Sequence, residues 1–238
     1  MTTKTELFAV TDTVGSIVAR RPALSRVFEQ AGIDYCCGGK LPLAEACRKK
    51  GIDPQQLLDT LEKAGATAGD ASVDPAAMSL TALADHIEAT HHAYLKTELP
   101  RLTAMTTKVA AVHGGEDARL AQLRDTYAGL AMEMSQHMLK EEQVLFPMIR
   151  QLDASESAPA FHCGSLANPI RMMEMEHDQA GGALAKMREL TDGFTPPDWA
   201  CNTYRAMLDA LAHLEDDLHQ HVHKENNILF PRAIERQG

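Results

Sequence analysis

The stretch HVHKENNILFP, residues 221–231, decides the reading of this chain, because HMLKEEQVLFP at residues 137–147 repeats its frame. One constant offset carries His137 to His221, Glu141 to Glu225 and Pro147 to Pro231. The apolar positions share it: Leu130 and Met134 precede one histidine as Leu214 and Leu218 precede the other. Two helices related by an internal repeat follow. Residues four apart on a helix project about 40° from each other, so His137 lies beside Glu141 and His221 beside Glu225. Both pairs fall on the apolar stripe and point inward.

A fainter version links the other two helices. Ile170, Met173, His177, Ala180, Leu184 and Met187 recur at three- and four-residue steps, which puts His177 on an apolar stripe. Nearly the same offset, one position longer, leads back from His177 to His92, with Leu95, Leu99 and Leu102 matching Ala180, Leu184 and Met187. Helical periodicity alone leaves His91 and His92 both open; the shared leucine spacing favours His92. Helix-compatible segments run over roughly residues 80–112, 117–151, 166–191 and 198–235, separated by HGGED, the stretch around Ala158 to Ser165, and DGFTPPD. Four long helices with short joints are the plan of a four-helix bundle.

Upstream, residues 1–70 read as a small helical domain. ALSRVFEQAG ends at Gly32, LPLAEACRKKG opens with Pro42 and closes at Gly51, and DPQQLLDTLEKAG has Asp53 as a cap with Pro54 behind it. GATAGDASVDPAAMS lacks an apolar period, so residues 71–78 are expected to be a linker and 79–238 the bundle. The composition agrees with an all-α chain: 5% aromatic, 45% hydrophobic, without β-branched runs bounded by turns. A net charge of -10 argues against nucleic-acid binding, which needs concentrated Lys and Arg. The sequence shows no secretion signal and no apolar run of membrane-spanning length. Five unevenly spaced cysteines read as free thiols in a reducing compartment, so a soluble cytoplasmic protein is expected.

Burying Glu141 and Glu225 among Leu and Met without partners costs several kcal/mol each, and neither stripe carries an Arg or Lys at that depth. A metal supplies the missing positive charge. Four imidazoles and two carboxylates, with no thiolate, suit Fe, Mn, Zn or Ni better than Cu(I), Mg or Ca. Six ligands crowd one small site. Two metals sharing both glutamates would each have two histidines and two carboxylate oxygens, with room for bridging solvent and an open position. A lone histidine on an apolar face is usually a hydrogen-bonded core residue; the repeated set is what points to a metal centre.

HMLKEEQVLFP, MEMEHDQAG, HVHKENNILFP and, near the start, DYCCGGK together resemble the repair-of-iron-centres family, di-iron proteins of the hemerythrin-like superfamily with an extra N-terminal domain. The resemblance spans nearly the whole chain. It implies two non-haem iron ions, bridged by an oxo or hydroxo group and by carboxylates. His92, His137, His177 and His221 are then terminal ligands, and Glu141 and Glu225 the bridges. It also implies help in repairing iron-sulfur clusters damaged by nitrosative or oxidative stress, nitric oxide binding at the di-iron centre, damaged iron-sulfur proteins as partners, and a homodimer. The alternatives are a protein that binds or reduces nitric oxide to lower its free level, and a sensor or oxygen carrier. Oxygen-carrying hemerythrins use a His-richer set and lack the DYCCGG module.

Cys36 and Cys37 are adjacent, which rules out the unstrained clamp on one metal that a C-x-x-C spacing allows. Before Lys40 and a helix opening at Pro42, they are expected either to be reactive thiols with lowered pKa or to be two small residues in a tight turn. Glu133 and Asp217, four residues before His137 and His221, are expected either to accept hydrogen bonds from ligand imidazoles, the reading slightly favoured, or to be ordinary surface acids; Glu176, beside His177, raises the same question. His86, His113, His162, His213, His219 and His223 are expected to be solvated or capping. Cys47, Cys163 and Cys201 are expected to be structural. Met132, Met134, Met138, Met148, Met172, Met173, Met175 and Met187 are expected to fill the core, and Phe146-Pro147 and Phe230-Pro231 to kink or end the ligand helices.

Overall fold

The computed structural model describes residues 8–67 and 74–238, so part of the expected linker lies outside the described residues. The N-terminal module contains α1 (Val14–Arg20), α2 (Ser25–Gln30), α3 (Leu43–Lys50) and α4 (Pro54–Thr67). Glycine and proline punctuation does not single out α1, a seven-residue helix whose N-terminus Thr13 caps by accepting a bond from the Ser16 amide. Gly51 ends α3 at φ 67°, a left-handed turn that lets Ile52 donate back to the Cys47 carbonyl. Val14, Ile17, Leu24, Phe28, Leu43, Cys47 and Leu61 build this module's own apolar cluster.

The bundle follows as expected, each helix within a few residues of its predicted bounds. Its first helix is α5 (Leu80–Ile87) continuing into α6 (Ala93–His113); its second is α7 (Arg119–Lys140) continuing into α8 (Phe146–Ala154). The third is α9 (Ala167–Leu190), and the fourth α10 (Asn202–Lys224) continuing into α11 (Phe230–Gln237). Among the described residues there is no β-strand. Two apolar clusters fill the bundle, one around Leu99, Tyr127, Leu184 and Leu211, the other around Leu83, Ile149, Ile170 and Phe230. Between them the buried residues turn polar: His92, His137, Glu141, His177, His221 and Glu225. Of the methionines expected inside, Met132, Met172 and Met175 are exposed, because they fall on the outer faces of α7 and α9.

Three of the four bundle helices widen into a π-turn at this polar layer: Glu88–His92, Glu141–Leu145 and Glu225–Leu229. In each, an amide reaches back five residues, Ala93 to Glu88, Phe146 to Glu141 and Phe230 to Glu225. The extra residue shows in the buried spacing. His137, Glu141, Leu145 and Ile149 run in three successive steps of four, as do His221, Glu225, Leu229 and Ala233. A plain α-helix of 3.6 residues per turn would swing such a row off the core; the π-turn holds it there. Of the two outcomes expected for the prolines, an end to the helix does not occur: Pro147 and Pro231 stand in the first turn of α8 and α11, directly after the π-turns, and the helices run on to Ala154 and Gln237.

The module is bonded to the bundle through the second repeat. Asn227 Nδ2 donates to the Cys36 carbonyl at 2.9 Å, and its amide head lies against both Gly15 of α1 and Gly39. Lys40 pairs with Glu174 of α9 at 2.6 Å. A methyl at Gly39 would meet the Asn227 amide head-on. Gly39→Ala is therefore expected to cost about 1–3 kcal/mol, the usual range for overpacking, and to raise hydrogen exchange at residues 34–41 more than in the α6–α7 core. Equal exchange at both places would show that the contact does not hold the module.

Candidate metal centre

The six residues of the repeated set come together in the polar layer. Five of them, His92, Glu141, His177, His221 and Glu225, are 0% exposed, and His137 is 1% exposed. They fall into two groups, His92–Glu141–His221–Glu225 and His137–Glu141–His177–Glu225, each with its donor atoms within 4.8 Å of one another. Both glutamates belong to both groups. Glu141 turns Oε1 to His137 Nε2 and Oε2 to His92 Nε2, each at 3.3 Å. Glu225 turns Oε1 to His221 Nε2 at 3.0 Å and Oε2 to His177 Nε2 at 3.1 Å.

The electrostatics of this layer call for a cation. Both Glu141 oxygens, Glu225 Oε2 and His92 Nε2 are buried without a hydrogen-bond partner, and His137 Nε2 faces His177 Nε2 at 3.0 Å. Such groups are costly to bury unless something positive sits between them. Burial and the charge of Glu225 push the Glu141 carboxyl up, yet the imidazoles of His137 and His92 hold it below the ordinary carboxylate range. Burial likewise opposes the charge on Glu225, and His221 and His177 hold it well below that range. Burial would lower His137, but Glu141 and Glu225 lift it to about 9. The donor set thus fits metal ions, with imidazole and carboxylate ligands suited to iron.

The outward nitrogens explain the rest of the repeated phrase. His92 Nδ1 donates to Glu142 Oε1 at 2.8 Å, and Lys96 holds Glu142 at 2.7 Å. His177 Nδ1 donates to Asn226 Oδ1 at 2.8 Å. Glu142 and Asn226 are themselves partners under the repeat offset, and each reaches a histidine on a different helix. Phe146 lies flat on the His92 imidazole at 5.6 Å and 14°, and its partner Phe230 lies flat on His177 at 6.1 Å and 3°. Both rings are themselves buried, so each adds an apolar, parallel neighbour to a ligand imidazole. Sequence spacing points elsewhere for the acceptors, because it works within one helix while the bonds run between helices.

Two of those expectations are corrected. Glu133 is exposed, and His137 Nδ1 donates instead to Glu176 at 2.8 Å, which in turn pairs with Lys140. Asp217 does bind an imidazole, but it is that of His91, at 2.8 Å, not of His221. His91 belongs to neither metal-sized group. His223, expected at the surface, is buried at 4% exposure against Tyr35, with Nδ1 3.3 Å from the Tyr35 carbonyl. Its pKa is lowered to about 4 by burial.

The double cysteine lies over the third helix of the bundle. Cys37 Sγ is 3.6 Å from the carbonyl of His177, and a methyl on Gly181 would sit 3.7 Å from that sulfur. Asp34 ties the turn by accepting from the amides of Cys36, Cys37 and Gly38. The expected lowering of thiol pKa does not hold for Cys36. The neighbouring Cys37 thiol, burial and the Asp34 charge push it well up, while Lys40 is drawn away to Glu174. Both thiols line a cleft of about 510 Å³ between module and bundle, together with Asp178, Gly182 and Arg188. Cys47 is buried in the module core, as expected, whereas Cys201 is exposed with its sulfur 3.2 Å from His113.

Comparison with known proteins agrees with this arrangement. Residues 83–233 match the hemerythrin HHE cation binding domain family, and residues 10–65 match ScdA_N, described as a domain of unknown function (DUF542). The chain is 37% identical over 223 residues to the iron-sulfur cluster repair protein YtfE of Escherichia coli O81, covering 93% of this chain and 96% of that one. The YtfE of Pectobacterium atrosepticum is 37% identical over 221 residues with the same coverage, and that of Escherichia fergusonii 37% over 223 residues. No described helix is long and apolar enough to cross a membrane. With both of its parts matched and its relatives aligned almost end to end, this chain belongs to the hemerythrin-like repair-of-iron-centres family with an N-terminal double-cysteine domain.

Proposed function

We propose that the chain holds two iron ions in its buried layer and supports repair of iron-sulfur clusters damaged by nitric oxide or peroxide, acting in the cytoplasm on damaged iron-sulfur proteins. The observation that carries this reading is the division of each carboxylate: Glu141 and Glu225 each give one oxygen to either half of the centre. His92 and His221 would hold one ion, His137 and His177 the other. Bound iron would supply an open position for nitric oxide and an ion that can be released. The protein's part is to keep Nε2 of His92, His137 and His177 facing inward through bonds at Nδ1, with the Phe146 and Phe230 rings parallel to His92 and His177, and to hold all four imidazoles buried. The relatives' shared name supports repair as the role of this centre.

Protein purified without oxygen is expected to carry two irons per chain, and a His137→Ala, His221→Ala double variant to carry none; metal analysis checks this. A single zinc, or iron undisturbed by the double variant, removes the proposal. Loading iron to about a thousand times its dissociation constant should stabilise the fold by roughly 4 kcal/mol, seen as a rise of several degrees in Tm that the double variant lacks. If Cys36 and Cys37 take part, Cys36→Ser with Cys37→Ser should leave the metal content unchanged and lower cluster repair in vitro; undiminished repair would reduce them to packing. Turnover of nitric oxide with an electron donor, without transfer of iron to a damaged cluster, would favour removal of nitric oxide as the role instead.

A further inference from the structure

The internal repeat fails at one place around the centre. His137 and His221 are partners in the repeat, but their outward nitrogens are treated differently. His137 Nδ1 donates to Glu176, and Lys140 holds that carboxylate. The offset that pairs His177 with His92 also pairs Glu176 with His91, and the offset that pairs His137 with His221 also pairs Lys140 with Lys224. His91 and Lys224 thus occupy the places of the supporting carboxylate and its lysine. Lys224 Nζ does reach His91, donating to Nε2 at 2.6 Å. With Nε2 accepting, Nδ1 carries the proton and donates to Asp217 at 2.8 Å. Both nitrogens of His91 are therefore used, and its ring is turned parallel to His221 at 5.3 Å and 4°, a stack instead of a hydrogen bond. His221 Nδ1 is left buried with no partner, the one ligand imidazole of the four in that position.

From this we infer that the two halves of the centre hold metal unequally, and that the ion bound by His92 and His221 is released first. The inference rests on the reading of the layer as a two-iron centre and goes beyond it by assigning which ion leaves. A carboxylate or carbonyl on the far nitrogen fixes the tautomer and orientation of a ligating imidazole and makes it more basic; losing such a partner typically weakens metal binding 10- to 100-fold. The His137–His177 half has both imidazoles supported, by Glu176 and by Asn226. The His92–His221 half has one supported, by Glu142. His91 fills the place of a carboxylate without serving His221.

Iron release into an excess of a colorimetric iron(II) chelator, followed without oxygen on the full chain, tests this. Two phases of one iron each are expected, separated by roughly 10- to 100-fold in rate. Glu176→Gln should quicken the slow phase alone, and Glu142→Gln the fast phase alone. His91→Glu, which restores a carboxylate beside Lys224, should slow the fast phase; should that variant misfold, the two glutamine variants still assign the phases. Release of both irons in one phase, or Glu176→Gln acting on the fast phase, overturns the inference while leaving the two-iron centre intact. A chain that never holds two irons overturns both.

Discussion

Two carboxylates, Glu141 and Glu225, sit at 0% exposure in the middle of a helical bundle, and the remainder of the centre is arranged around the difficulty of keeping them there. Isolated, each would be driven to protonate or to reach water. Four imidazoles face them, and the pKa of both acids is held down in spite of burial. The charges also interrupt the apolar packing, leaving one cluster on either side. Those two clusters carry the stability that lets a polar layer exist between them, since hydrophobic burial is the dominant favourable term in folding.

Much of this is legible in the sequence because a repeat doubles every signal. One His-x-x-x-Glu on an apolar stripe is weak evidence; two at a constant offset, with His92 and His177 on the remaining stripes, single out the six residues that the fold brings together. The leucine spacing also favours His92, which lies in a metal-sized group, over His91, which lies in neither. The hydrogen-bond partners are not legible for a definite reason. Glu142, Glu176 and Asn226 act on histidines of other helices, and a periodicity argument sees only neighbours on the same helix. That is why it assigns Glu133 to His137 and Asp217 to His221, neither of which the fold brings into a bond.

The π-turns lie between these cases. Their trace is present in rows of buried residues four apart, a spacing too long for an unbroken α-helix, but the proline that follows each row's glutamate draws attention to helix ends instead. The module shows a similar divide. Its glycine punctuation predicts where α2 and α3 stop, whereas the contact of Gly15 and Gly39 with Asn227 joins residues far apart in the chain, beyond the reach of local pattern.

The π-turn at Glu88–His92 has a further consequence. In the third helix the buried apolar residue before the histidine is Met173, four positions back from His177; in the first it is Ile87, five positions back from His92. The first helix therefore contains one residue more than its repeat partner over the same rise, and the widened turn takes up that residue without rotating either the histidine or the apolar row out of place. The two halves of the bundle could thus drift apart in length, by insertion within a ligand helix, while the ligands stayed in register. A π-turn beside the centre absorbs one residue of length that would misalign a regular α-helix.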